Sequence, residues 1–188
     1  FDLNWLPDNS GVGFSFGVEQ PTTAYLFDIT TGEWQNWVLP ITNSRSRIGW
    51  GPDENSFIYS NVGAEPGLYQ FNINTEETHP IYQPDTAETW YSTRGLKFSR
   101  DHTKLTYTVR SKVVKVLDRG TGKSRVLSKT MWSPAFSPNG EKIMAFCPYK
   151  KENSVTTGVA VLSLDGEILQ QYDIGMFFTS GTKIFSPD

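Results

Sequence analysis

The chain has 188 residues and a formal net charge of −3. It is long enough to bury one sizeable core, but it lacks the basic surplus that nucleic-acid-binding proteins need. No apolar run approaches the roughly 18 residues of a membrane-spanning helix. The single Cys147 excludes an internal disulfide and a cysteine-based metal cluster. We therefore expect neither a nucleic-acid partner nor membrane insertion by these residues.

One short phrase recurs along the chain and divides it into units. It begins as NWLPDNSGVGFS, returns as GWGPDENSFIYS, KFSRDHTKLTYT and AFSPNGEKIMAF, and ends as IFSPD. Its anchor residues, at spacings of 45, 48, 38 and 49, are Pro7, Pro52, Arg100, Pro138 and Pro187. Such spacings resemble the roughly 40 to 45 residues of a four-stranded propeller blade. The predicted repeat units are approximately 1–45, 46–92, 93–130 and 131–180, with 181–188 starting a further unit.

Each phrase predicts a strand, a tight turn and a second strand. Pro-Asp or Pro-Asn with a nearby glycine makes the turn, and an alternating apolar run starts the next strand. Four apolar residues follow the anchors at similar distances and are predicted to be equivalent and buried: Phe14, Ile58, Leu105 and Ile143. The third unit has Arg100 in place of proline and His102 in place of glycine, which leaves room for a different turn there.

A second phrase in each unit predicts the third and fourth strands. Its copies are AYLFDITTGEWQNWVL, GLYQFNINTEETHPIY, VVKVLDRGTGKSRVL and GVAVLSLDGEILQQY. The third copy contains Gly120-Thr121-Gly122-Lys123-Ser124, which is similar to the end of a phosphate-binding loop. However, Leu117 stands where that motif needs glycine, and no amphipathic helix follows. We therefore interpret residues 120–124 as a hairpin tip rather than a nucleotide site.

The repeat resembles the TolB-like, or WD-like, β-propeller repeat. The fourth unit matches it best, and the matching residues are Phe136, Ser137, Pro138, Asn139, Gly140, Ile143, Ala145 and Phe146. The resemblance implies an all-β fold: four consecutive four-stranded blades and the first strand of a fifth. Residues 1–188 are thus expected to form a single propeller segment, belonging to a ring of six to eight blades.

The resemblance also implies where a partner would bind. In this family the loops from second to third strands and from fourth strands to the next blade form one face. Loops that carry aromatic and arginine side chains on a rigid scaffold favour binding. The predicted ligand- or partner-binding residues are Arg45, Arg47, Trp90, Tyr91, Arg94 and Trp132. The alternative is that Trp90 and Trp132 only pack between blades.

Catalytic patterns are missing from the sequence. His102 falls in a turn, His79 precedes Pro80 in an outer strand, and Cys147 is placed at the end of an inner strand as a small buried side chain. No Gly-x-Ser-x-Gly elbow, zinc spacing or calcium loop occurs. We predict no catalytic residue, metal site or cofactor.

The leading hypothesis is a non-catalytic scaffold that binds another protein or a peptide through the inter-blade loops. One alternative is the propeller part of a multidomain enzyme of the prolyl oligopeptidase type, which gates substrate access. Another is the extracytoplasmic sensor of a regulator. The family resemblance favours a periplasmic or extracytoplasmic location. Fold alone does not decide among these functions.

Overall fold

The computed structural model describes residues 2–6, 9–16, 22–41, 48–51, 55–61, 65–84, 93–110, 112–151 and 154–174. These residues form sixteen β-strands in four antiparallel four-stranded sheets, and each sheet has its strands in sequence order. Within these ranges no helix is long and apolar enough to cross a membrane. The predicted all-β fold is confirmed, whereas the predicted first strand of a fifth blade, residues 181–188, lies outside the described residues.

The strands are numbered in chain order. The first sheet contains β1 (Asp2–Trp5), β2 (Gly11–Phe16), β3 (Thr23–Asp28) and β4 (Trp34–Val38). The second contains β5 (Ile48–Trp50), β6 (Ser56–Asn61), β7 (Gly67–Asn72) and β8 (Thr78–Tyr82). The third contains β9 (Thr93–Phe98), β10 (Lys104–Val109), β11 (Val113–Asp118) and β12 (Lys123–Ser128). The fourth contains β13 (Trp132–Phe136), β14 (Lys142–Lys151), β15 (Ser154–Ser163) and β16 (Ile168–Asp173).

One turn joins the first and second strands of every sheet. The N–H of the residue before the anchor donates to the carbonyl five residues later. These bonds are Leu6 to Gly11 at 2.9 Å, Gly51 to Ser56 at 2.7 Å, Ser99 to Lys104 at 3.0 Å and Ser137 to Lys142 at 2.9 Å. The constant closure explains why short phrases with little identity specify the same hairpin.

The third sheet keeps this turn despite its unusual residues. His102 adopts a φ of 56°, close to the 74° of Gly140 at the same place in the fourth sheet. Its ring packs edge-on against Phe98, with centroids 5.9 Å apart, and Arg119 donates a 2.9 Å hydrogen bond to its carbonyl. The different turn that these residues left open does not occur. Local contacts hold a histidine in a conformation that favours glycine.

The same turn corrects the predicted core positions. In every sheet, the second strand starts five residues after the residue that precedes the anchor. Counted from that start, the positions that correspond to Leu105 and Ile143 are Val12 and Phe57. Ile58 is buried but lies one residue further, on the opposite face of its strand, because successive side chains alternate between faces. Phe14 lies two residues beyond Val12 and is only partly buried. The predicted equivalence of these four residues was wrong in register.

Polar side chains close the hairpins between third and fourth strands. Asp28, Asn72 and Asp118 each accept backbone N–H bonds from the turn through Oδ1, and Ser163 does so through Oγ. Side chains of this kind mimic a backbone turn. Residues 120–124 thus lie at the β11–β12 connection, which confirms that they form a hairpin tip.

The chain divides into two compact units, Phe1–Leu96 and Lys97–Asp188. The core of the first unit lies between the first and second sheets, and its buried residues are Leu6, Ala24, Leu26, Leu39, Ile41, Ile48, Phe57, Tyr59, Tyr69 and Phe71. The core of the second lies between the third and fourth sheets, and its buried residues are Val114, Val116, Leu127, Met131, Phe136, Ile143, Ala145, Cys147, Ala160 and Leu162. The repeat-unit boundaries given above stay a prediction.

Candidate functional site

Strand direction places the candidate site. Second and fourth strands end at one edge of each sheet, where they connect to the third strand and to the following sheet. We call this the loop edge, and the edge where first and third strands end the opposite edge. In the second unit, the backbone N–H of Ser133 on β13 donates to Oγ1 of Thr108 near the end of β10, at 3.1 Å. The loop edges of the third and fourth sheets therefore meet.

Trp132 lies at this meeting point, beside an irregularity in β13. The register with β14 shifts between Trp132 and Ala135, so that an extra residue is inserted opposite the partner strand. Ser133 in this bulge has a φ of 49°, which is uncommon for a residue other than glycine. Bulges re-aim side chains and occur often beside functional sites. This bulge was not predicted from the sequence.

The Trp132 indole contacts one neighbouring ring and is partly buried. It lies opposite Phe146 of β14, with ring centroids 6.2 Å apart and planes tilted by 42°. The Trp132 side chain is only partly buried. It therefore packs against a ring of its own sheet and keeps the partial exposure that a binding residue needs. The alternative of packing between blades stays a prediction.

The other predicted site residues cannot be placed beside it. Arg45, Arg47, Trp90 and Tyr91 lie outside the described residues. Arg94 belongs to β9, but its side chain is not among those described. The predicted binding set therefore stays a prediction, with Trp132 as the member whose surroundings are described.

A long β-ribbon projects from the loop edge of the fourth sheet. β14 and β15 have ten residues each, compared with six in β10 and β11. The described strands beside them stop early, since β13 pairs only as far as Phe146 and β16 only as far as Gly158. Beyond those residues the two strands pair only with each other among the described strands. Cys147 thus lies within a strand, not at its end as predicted.

Several contacts fix the base of this ribbon. Gln171 Nε2 donates to the carbonyl of Pro148 and to Sγ of Cys147, both at 3.2 Å. Thr156 Oγ1 donates to Asp173 Oδ1 at 2.9 Å. Gly158 has no room for a side chain, because a Cβ there would lie 2.6 Å from the carbonyl oxygen of Tyr172. The ribbon is therefore oriented by specific contacts with β16.

Charge differs between the two edges of the second unit. The described charged residues at its loop edge are four bases and one acid: Arg110, Lys112, Lys129, Lys150 and Asp173. The opposite edge is closer to balance, with six bases (Arg100, Lys104, Arg119, Lys123, Arg125 and Lys142) against five acids (Asp101, Asp118, Glu141, Asp165 and Glu167), and Arg125 pairs with Asp165. The loop edge is thus the basic side of this unit.

The formal charge of each half of the sequence shows this asymmetry, whereas the net charge of the whole chain does not. Residues 1–96 have twelve acidic side chains and three arginines, a formal charge of −9. Residues 97–188 have fourteen basic and eight acidic side chains, a formal charge of +6. Counting charge for each half, rather than for the chain, would have identified the basic half.

Burial, exposure and packing define the surroundings of the described cysteine and histidines. Burial raises the pKa of the Cys147 thiol, which disfavours the reactive thiolate. His79 is exposed and lies 3.7 Å from a Glu77 carboxylate oxygen, and His102 packs in its turn. Within the described ranges, no group of three or more histidine, cysteine or acidic side chains could hold a metal ion. This arrangement can present a surface for binding.

Solved structures share this architecture. TolB from Acinetobacter baumannii matches with a TM-score of 0.70 and 19% identity, over 91% of this chain and 42% of that protein. A putative TolB from Agrobacterium tumefaciens matches with a TM-score of 0.66 and 18% identity, over 92% and 65%. The fold is that of a TolB-like β-propeller segment. The resemblance seen in the repeats is therefore confirmed at the level of fold.

The TolB-like fold also occurs in an enzyme. Oligogalacturonate lyase from Vibrio parahaemolyticus matches with a TM-score of 0.61 and 16% identity, over 90% of this chain and 50% of that protein. The chain thus spans between 42% and 65% of the length of these proteins. No protein-family model and no curated protein matches the sequence.

Proposed function

We propose that this chain is a non-catalytic propeller scaffold that binds another protein or a peptide through the loop edge of its second unit. The observation that carries the proposal is the projecting β14–β15 ribbon beside the partly exposed Trp132. A rigid sheet that holds an aromatic side chain and an extended hairpin at one edge has the features of a binding surface.

Three properties of the ribbon support this proposal. It extends past its neighbouring strands, so a partner can reach it without displacing the sheet. Val155 on it keeps 63% of its surface exposed, which leaves apolar area to bury in a complex. The contacts of Gln171 and Thr156 hold its base in place, which lowers the entropy lost on binding.

An enzymatic role finds less support in the described residues. Fold likeness to an enzyme carries no information about activity. A nucleophile would need a neighbouring base within about 3.2 Å, and Cys147, the described cysteine, instead accepts a hydrogen bond from the amide of Gln171. We therefore place function in surface recognition.

Site-specific photo-crosslinking in cells tests this function. A photo-reactive phenylalanine analogue is placed at Val155 or Thr130 on the loop edge, and at Ile168 or Pro138 on the opposite edge, all exposed positions. We expect both loop-edge positions to capture the same protein, identified by mass spectrometry, and the opposite-edge positions not to capture it. Trp132→Ala should lower the yield at Val155 by about tenfold, as loss of a binding hot spot does. Equal capture of that protein from both edges would contradict the proposal.

A further inference from the structure

The basic side chains around Trp132 define the chemistry of the partner. We infer that the loop edge of the second unit binds an acidic polypeptide segment that also carries apolar side chains. Its recognition residues are Arg110, Lys112, Lys129 and Lys150, with Trp132 and Val155 as apolar contacts. This inference rests on the proposed function and names the class of partner for the same surface.

Three segments carry basic residues to the loop edge on which Trp132 lies. Lys129 precedes it by three residues in the β12–β13 connection. Arg110 lies two residues beyond Thr108, whose hydroxyl accepts the hydrogen bond from the neighbouring N–H of Ser133. Lys150 lies four residues beyond Phe146 on β14, about 13 Å further along the ribbon at roughly 3.3 Å per residue. A single extended segment of a few residues could contact all of these groups.

The lysines of this edge are not neutralised within the described part of the chain. The side chains of Lys112, Lys129 and Lys150 have no hydrogen bond or ion pair with a described residue, and all three are exposed. The carboxylate of Asp173 is held by the Thr156 hydroxyl. Cations gathered at one edge without matching carboxylates create a positive potential that attracts anionic groups.

Basic residues of the opposite edge have a different environment. Lys104 makes a smaller contribution to the lowered pKa of Asp101 and of Asp118, after the hydrogen bonds from Ser99 and Thr121. Its charge therefore acts on carboxylates of the same edge. An anionic partner gains less there because attraction to the bases is offset by repulsion from the acids.

Two features favour an acidic polypeptide over a long polyanion. The whole chain has a charge of −3 and its first half has −9, so it provides no net attraction for a nucleic acid. Lys150 lies opposite Val155 across the ribbon, so a basic and an apolar side chain share one face. A segment that alternates acidic and apolar residues matches this pairing, and a ribbon offers strand edges to an extended peptide.

Fluorescence anisotropy with the purified full-length protein tests the inference. The probe is a labelled peptide of alternating glutamate and valine. The comparison probes are the same peptide with glutamine for glutamate, and an oligothymidylate of equal charge. We expect the glutamate peptide to bind at low salt, the other two to bind at least about tenfold more weakly, and the affinity to fall as sodium chloride is raised.

Matched double variants locate the site. Lys112→Glu with Lys150→Glu reverses charge at the loop edge, and Lys123→Glu with Lys142→Glu does so at the opposite edge with the same net change. The loop-edge pair should weaken peptide binding by at least about tenfold, and the opposite-edge pair by less than about twofold. All four side chains are exposed, so circular dichroism should show the same fold for both variants.

Each remaining outcome contradicts the inference. Absence of peptide binding, equal binding of the glutamine peptide, equal or tighter binding of oligothymidylate, or equal losses in both double variants would overturn it. The crosslinking experiment separates this failure from failure of the proposed function. Loop-edge capture of one protein, together with no binding of the acidic peptide, would leave the scaffold function in place and exclude an acidic partner.

Discussion

In the first unit, the sheets pack through aromatic rings. Tyr59 of β6 lies opposite Tyr69 of β7, and the two rings stack with centroids 5.5 Å apart. In the fourth sheet, within the second unit, the equivalent positions are Ala145 and Ala160, both fully buried. The third sheet keeps a buried ring, Tyr107, at this place. The contrast is therefore between the second sheet, which fills this place with two rings, and the fourth sheet, which fills it with two alanines.

This difference shows which features the repeat requires. Both units use the same five-residue turn closure and the same polar caps on their outer hairpins. The core tolerates exchange of ring volume for aliphatic packing provided that the space is filled. Surface charge varies even more, from −9 in one half to +6 in the other. Turn chemistry therefore specifies the fold, and the surface is free to specify the partner.

The largest expected effect comes from exchanging these core residues. Tyr59→Ala should lower the free energy of unfolding by about 3 to 5 kcal/mol, because it leaves a cavity beside Tyr69. Ala145→Tyr should cost about 1 to 3 kcal/mol or more, because Ala145 and Ala160 leave no space for a ring. Urea unfolding followed by tryptophan fluorescence measures both. If either change lowers the free energy of unfolding by less than about 0.5 kcal/mol, the packing around Tyr59 and the packing around Ala145 do not differ in this way.

The sequence predicted the fold well because turns and strand alternation are local properties. Four anchor residues identified the first turns of the four described sheets, and the polar residue before each described outer hairpin identified its cap. The register was wrong for Phe14 and Ile58 because the phrase was aligned on apolar residues. Hydrogen-bond closure, not apolar spacing, fixes where the second strand starts.

The candidate site was less predictable for a physical reason. Trp132 stood out as an aromatic residue in a loop, but its partner Phe146 and its neighbour Thr108 come from other strands. The bulge at Ser133 and the length of the β14–β15 ribbon depend on pairing between strands. Spacing within one phrase contains no information on such contacts. The formal charge of each half, by contrast, follows from the sequence alone once residues 1–96 and 97–188 are counted separately.

A smaller effect is expected at a hairpin position where the second and third sheets differ. Glu76 in the first unit has a φ of 57°, whereas Gly122 in the second has 66° at the same place in its turn. Glu76→Gly should raise the free energy of unfolding by up to about 1 kcal/mol, and Gly122→Ala should lower it by about 1 kcal/mol, because a Cβ is unfavourable in this conformation.

Steric crowding does not explain the expected loss of stability in Gly122→Ala, since a Cβ on Gly122 would meet nothing within 4 Å. Thermal and urea unfolding of the two variants, with Thr75→Ala and Thr121→Ala as controls for each turn, measure the effect. Opposite signs for Glu76→Gly and Gly122→Ala are expected. The same sign for both would mean that backbone strain at this position is negligible.

The smallest effect concerns pH and a turn within the second unit. The Ser99 hydroxyl donates a 2.6 Å hydrogen bond to Asp101, and this bond is the main cause that lowers the pKa of Asp101 to about 2. In the fourth sheet, Asn139 takes the same place and accepts a 2.7 Å bond from Ser137. Asp101→Asn should therefore keep the turn and remove its titration.

The sign of the effect follows from linkage. A carboxyl group whose pKa is lower in the folded than in the unfolded protein stabilises the fold above its unfolded value of about 4. This stabilisation is lost as the pH falls towards 2, because the unfolded chain binds the proton first. The wild-type protein should thus lose more stability than Asp101→Asn between pH 5 and pH 2, measured by urea midpoints across that range. A constant difference between the two proteins at every pH would show that the pKa of Asp101 is the same in the folded and the unfolded protein, and that its charge contributes nothing to this turn.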